Sequence, residues 1–204
     1  MSQPALKTHF ELSGGNLALD FANTVSQRPT SHSIERLTDY RCLVFFGMES
    51  GIYKHTDRLF MAAGSAPGQG KTALQKAIQF REALFAIFSA IVEHRAIPDN
   101  ALLRLNLMLE EAAAHGRVVF RDRRFVWEWV HLDHYLDSLL WPVARAAADL
   151  LLSGELQHLR MCAAENCAWL FLDRTKNQRR RWCDMKVCGN RVKARRHYQR
   201  LKAE

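Results

Sequence analysis

The chain has 204 residues, 48% of them hydrophobic, and a formal charge of +8. That suffices for one medium domain with a true core plus a small module, and its apolar runs fall well short of the roughly 18 residues a membrane helix needs. The opening, MSQPALKTHFELSGGNLALDF, lacks the basic start and apolar middle of a secretory signal, so the expectation is a soluble protein in the reducing cytoplasm.

In chain order, Gly14-Gly15 marks a turn, and the fourfold spacing of Leu17, Phe21 and Val25 predicts a helix within residues 11–27. A second helix is predicted over 33–48, with Ser33 as its N-cap and Gly51 beyond its end, and a short third one over 56–63. Residues 64–70, rich in Gly, Ser and Pro, read as a linker. Its end, Gly70-Lys71-Thr72, echoes a phosphate-binding loop. However, Ser65 stands where that motif places its first glycine, and no strand precedes it. Residues 71–94 form the strongest helix, with Leu74, Ile78, Phe85, Phe88 and Val92 on one stripe. Pro98 suits the first turn of another helix, which carries Leu102, Leu105, Leu107 and Leu109 and closes at Gly116. Val118-Val119-Phe120 and Phe125-Val126-Trp127 flank a polar turn and predict a β-hairpin. A long helix over 131–152, kinked by Pro142, is expected to end at Gly154. The fold class is therefore mainly α with a β-hairpin (α+β). A helical unit over 1–154 is followed by a small module over 155–204.

That module holds four of the five cysteines. Cys162 and Cys167 are separated by four residues, as are Cys183 and Cys188, with fifteen residues between the pairs. Two such pairs on a short connection have the pattern of a tetrahedral four-cysteine zinc site. Two disulfides would need an oxidising compartment, and iron–sulfur clusters favour closer or asymmetric spacing. One structural Zn2+ is the expected cofactor. Cys42, alone in the other unit, reads as a small buried apolar residue. The order of turn, hairpin and helix around one ion suggests a treble-clef-like finger. The hairpin strands would be 169–172 and 179–182.

The basic excess also belongs to this module. Residues 159–204 carry 13 Lys and Arg against 4 Asp and Glu, a balance of +9, whereas residues 1–158 are at −1. Zinc and four thiolates would bring the loaded module to about +7, which is ample for phosphate binding. Arg179, Arg180, Arg181, Lys186, Arg191, Lys193, Arg195, Arg196 and Arg200 are the candidate nucleic-acid contacts. Asn190 and Arg191, so near Cys188, have the competing role of supporting the zinc turn.

Cys188-Gly189-Asn190-Arg191, with Arg180-Arg181-Trp182-Cys183 before it and Lys193-Ala194-Arg195-Arg196-His197-Tyr198 after it, resembles the CGNR zinc-finger family. Upstream, Gly14-Gly15-Asn16-Leu17-Ala18-Leu19-Asp20-Phe21-Ala22-Asn23-Thr24 resembles the start of the ABATE domain that accompanies that finger, and Arg81-Glu82-Ala83-Leu84 also fits its pattern. The resemblance implies a bacterial stress-response transcription regulator that binds DNA.

No nucleophile elbow, catalytic dyad or dinucleotide fingerprint stands in the sequence, so nothing in it supports an enzyme. His131 and His134, near Asp133 and Asp137, read as an ordinary polar helix face rather than a second metal site. Arg81 interrupts the apolar stripe at a core-facing phase, and a buried arginine needs a partner. Asp20 is the expected partner; alternatively Asp20, Asn23 and Arg81 line an effector pocket. DNA is the first expected partner. RNA, stacked on Trp169, Phe171, Trp182 and Tyr198, is the alternative, and contact with protein alone is a third reading. A small-molecule effector or a homodimer would suit the helical unit.

Overall fold

A 26-residue helix, α4 (Pro67–Val92), is the axis of the protein. The computed structural model describes residues 9–202, apart from the side chains of Arg196 and His197. Of the expected stripe on α4 only Phe88 is fully buried, while Leu74, Ile78, Phe85 and Val92 are half-buried; the neighbouring Ala77, Leu84 and Ile87 are fully buried. The helix begins inside the expected linker, because Pro67 sits in its first turn, where a missing N–H costs no hydrogen bond.

Before it, α1 (Leu17–Ala22) begins after the expected Gly14-Gly15 turn and stops short of Val25. Asn16 caps it through an Ala18 N–H bond of 2.8 Å, and the chain leaves it at Asn23 to enter β1 (Val25–Ser26). β1 pairs antiparallel with β2 (Ile34–Glu35), a two-residue ribbon too short to show any periodicity. That ribbon displaces the next helix, so α2 (Tyr40–Glu49) is capped by Asp39 rather than Ser33. α3 (Asp57–Ser65) follows.

After α4 come α5 (Asp99–Ala113) and the hairpin of β3 (Gly116–Arg121) and β4 (Arg124–Trp129). Asp122 and Arg123, both at positive φ, make the two-residue turn between these strands. Leu105 of α5 is buried, but Leu102 and Leu107 face outward. α6 (Leu140–Leu152) starts nine residues later than expected, because 131–139 form turns that open at a positive-φ His131. Pro142 thus falls in the first turn and breaks no internal bond.

A 3-10 turn (Gly154–His158) leads to β5 (Leu159–Met161), which pairs antiparallel with β6 (Leu170–Leu172). This is not the hairpin expected from the sequence. Residues 179–182 form no strand, although Arg181 O accepts the Ala163 N–H at 2.8 Å. A π-helical turn (Met185–Gly189) and α7 (Asn190–Leu201) complete the described chain. No described helix is long and apolar enough to cross a membrane.

One core joins α1, α2, α4, α5 and α6 around Phe21, Phe46, Phe88 and Trp141. The two-residue period of the β5–β6 pair divides its faces. Leu159, Leu170 and Leu172 enter the helical core, whereas Trp169 and Phe171 pack with the cysteines in a second, smaller cluster. Cys42 is buried, as expected, with its sulfur 3.3 Å from Thr38 Oγ1.

Candidate metal centre and basic surface

The sulfurs of Cys162, Cys167, Cys183 and Cys188 all lie within 4.8 Å of one another, and all four residues are buried. Cys183 Sγ is 3.7 Å from Cys167 Sγ and 3.6 Å from Cys188 Sγ. A tetrahedron with Zn–S bonds of about 2.3 Å has edges of about 3.8 Å, so the donors fit one Zn2+. Four protein ligands leave no position for water, so the ion is structural. Between neutral thiols, S–H···S bonds would set one against another. Bonding from Cys167 holds Cys162 below the usual thiol range, while bonding to Cys162 pushes Cys167 and Cys183 above it. All four become thiolates only with a cation at the centre.

Local hydrogen bonds shape both cysteine turns. Cys162 N–H donates to Trp169 O at 2.8 Å, and Cys167 N–H to Ala164 O at 3.0 Å. On the other side, Asp184 Oδ1 accepts from Val187 N–H at 2.8 Å, and Asp184 O from Gly189 N–H at 3.0 Å. Gly189 lets the Met185 thioether pack close to the backbone, where a Cβ would stand 2.5 Å from its Sδ.

The finger is seated on the N-terminal segment. Leu172 N–H donates to Gly14 O at 2.9 Å, and Trp169 Nε1–H to Val25 O at 2.8 Å. Asn23 exchanges two bonds with Leu170: its Nδ2 donates to Leu170 O at 2.8 Å, and its Oδ1 accepts from Leu170 N–H at 2.9 Å. The buried Asp173 ties the next loop. It accepts from Thr175 N–H at 3.0 Å, Thr175 Oγ1–H at 2.6 Å and Arg180 N–H at 2.8 Å. The Asp-x-Thr spacing was the available signal.

Arg81 is buried as expected, but its partner is not Asp20. Its guanidinium forms a two-pronged pair with Glu35, at 2.6 and 2.7 Å, and its Nε donates to Glu82 at 2.8 Å. β2 carries Glu35 to it. Asp20 instead accepts the Gly14 N–H at 2.7 Å, and burial pushes its pKa up to about 6 against that bond. With Asn23 bound to Leu170, the polar groups of all three residues face partners within the protein.

The nine basic candidates fall into groups. Arg179, Arg181, Lys186, Arg191, Lys193 and Arg200 are exposed and make no ion pair among the described residues. Arg180 is half-buried: it lies 4.5 Å over the Phe171 ring and donates to the carbonyls of Trp182 and Cys183, so it braces the zinc turn. Arg195 pairs with Glu165. The side chain of Arg196 lies outside the described residues. Asn190 is exposed, and its side chain makes no hydrogen bond to the zinc turn among them. Arg191 lines a cleft of about 240 Å³ with Arg36 and Trp169, beside three of the cysteines. Trp169 and Phe171 are core residues, leaving Trp182 half-buried and Tyr198 exposed. His131 and His134 stand with ring centres 5.0 Å apart, in turns rather than on a helix.

Two family models match the chain. ABATE, described as "putative stress-induced transcription regulator", matches residues 15–154. The CGNR zinc finger matches residues 158–201. No curated protein matches the chain.

Proposed function

The chain belongs to the ABATE family and carries a CGNR zinc finger, and from that premise we propose that it is a transcription regulator that binds duplex DNA through the finger. The observation that carries this reading is the set of six exposed cations that make no ion pair among the described residues, on the module with one metal centre. Zinc fixes them relative to one another, so a row of phosphates meets them without the ordering cost of a floppy tail. α7, twelve residues long, is narrow enough for a major groove, where arginines pair with guanine edges. Residues 155–204 would act as the nucleic-acid module in the cytoplasm. Residues 1–154 would act as a sensing or dimerisation unit.

RNA is the weaker reading. With Trp169 and Phe171 in the core, two of its four stacking platforms are spent on packing. Competition between duplex DNA and structured RNA for the zinc-loaded chain separates the two. The regulator reading requires that duplex DNA displace RNA, and the reverse order would replace it.

A further inference from the structure

A groove of about 770 Å³ opens between α2, α3 and the start of α4, far in sequence from the cysteines. Its volume is that of a small-molecule site. The rings of Phe45 and Phe60, with centres 6.0 Å apart, line it together with Tyr40 and Leu74. Phe45, Phe60 and Leu74 are each only half-buried, so apolar surface is left facing the groove. Gly64 and Gly70 line the α3–α4 corner and keep it open.

Charge at the mouth is asymmetric. Lys71 is exposed and makes no ion pair among the described residues. Arg41 lies on the same lining. The one carboxylate there, Asp39, is committed to the α2 cap, accepting the Cys42 N–H at 3.0 Å. The uncapped first turn of α4 adds the positive end of a long helix dipole. An apolar trough with a single unopposed ammonium at its edge suits one chemistry: a monoanion with a long or bulky apolar body. A polyphosphate would find only two side-chain cations, Arg41 and Lys71, and a neutral lipid would leave Lys71 unused.

We propose that this groove binds small hydrophobic carboxylates. The site deepens the regulator reading, in that a ligand held here would be its effector. Its wall at Thr38 and Asp39 follows directly on β2, which Arg81 clamps through Glu35 and whose neighbour Arg36 reaches the Trp169 ring at 5.9 Å.

The test uses the full zinc-loaded chain, titrated with decanoate below its micelle concentration while backbone amide shifts are followed by NMR. Decanol and decylamine serve as neutral and cationic probes of the same length. Decanoate should shift the amides of α2, α3 and the first turns of α4, and bind more tightly than either control. Lys71→Gln should weaken decanoate about tenfold and leave decanol unchanged. Gly64→Trp, whose added Cβ meets nothing within 4 Å, should fold normally and block all three probes. No shifts at these helices, equal binding of decanoate and decanol, or full binding by Gly64→Trp would each overturn the proposal. Salt-dependent DNA binding, measured on the same preparation, reports the regulator reading separately, so either can fail without the other.

Discussion

Asn23 and Leu170, 147 positions apart, close a ring of two hydrogen bonds in which the Asn23 carboxamide takes the place of a neighbouring strand. Leu170 is fully buried, so both its backbone groups depend on this one side chain. Asn23→Ala should therefore cost about 2–4 kcal/mol in urea unfolding, the penalty for two buried groups left unpaired. Asn23→Asp should cost more, since it faces the Leu170 carbonyl with an acceptor and buries a charge. A loss below about 0.5 kcal/mol for the alanine variant would mean that the finger is not held by this ring.

Metal removal should be a local event. Chelation is expected to abolish hydrogen-exchange protection around the cysteine turns and in α7, because the small cluster around them is built on the four cysteines. β5 and β6 should stay protected, since Leu159, Leu170 and Leu172 belong to the helical core. Metal analysis should find one zinc per chain, and Cys183→Ser should lose it. Full zinc in that variant, or loss of β5–β6 together with α7, contradicts this account.

Asp20 should make stability fall as pH rises. Its folded pKa, about 6, lies above the unfolded value near 3.9, so the native state holds the proton more tightly. That contribution is fully present below pH ~4 and is lost as pH rises through about 6. Asp20→Asn keeps an acceptor for the Gly14 N–H and removes the charge. It should flatten this part of the profile and gain up to about 3 kcal/mol at pH 7. Urea melts at pH 4.5 and 7 decide it: an unchanged difference between the two pH values would show that Asp20 is not the group responsible.

Arg81 and Glu35 should be energetically coupled. Arg81 is almost wholly buried, but the Glu35 side chain stays 36% exposed, so water can take over the carboxylate once its partner is gone. Arg81→Leu should thus cost about 1–3 kcal/mol, less than breaking a pair buried on both sides. A double-mutant cycle with Glu35→Gln should return a coupling of about 1 kcal/mol or more, and additive losses would mean that the pair is incidental.

What the sequence discloses follows the range of each interaction. The zinc site is legible because cysteine spacing within a turn is local. The β3–β4 hairpin is legible because alternation and a polar turn coincide, and α4 because its stripe runs for several turns. β1, β2 and β5 are two or three residues long and leave no period to read. Residues 131–139 keep helix-like apolar spacing at Leu132 and Leu136, yet His131 takes a positive φ. That Arg81 would be buried was legible from its phase. That Glu35, 46 positions away, would meet it was not, because the meeting depends on the unseen ribbon. Arg180 looked like its neighbours, and only tertiary contacts with Phe171 and two carbonyls set it apart.

The most direct test of the central claim is the salt dependence of duplex DNA binding by the full zinc-loaded chain, with and without Lys186→Ala, Arg191→Ala and Lys193→Ala. These three cations, on the π-helical turn and α7, are exposed, make no ion pair among the described residues and supply no metal ligand, so the variants should retain zinc and the native melting temperature. Wild-type affinity should fall steeply as salt rises. Each phosphate contact removed should reduce the slope of log K against log salt by about one, weakening binding similarly on all sequences. A zinc-loaded wild-type chain with no affinity for duplex DNA even at low salt, or a triple variant with an unchanged salt slope, would contradict the account.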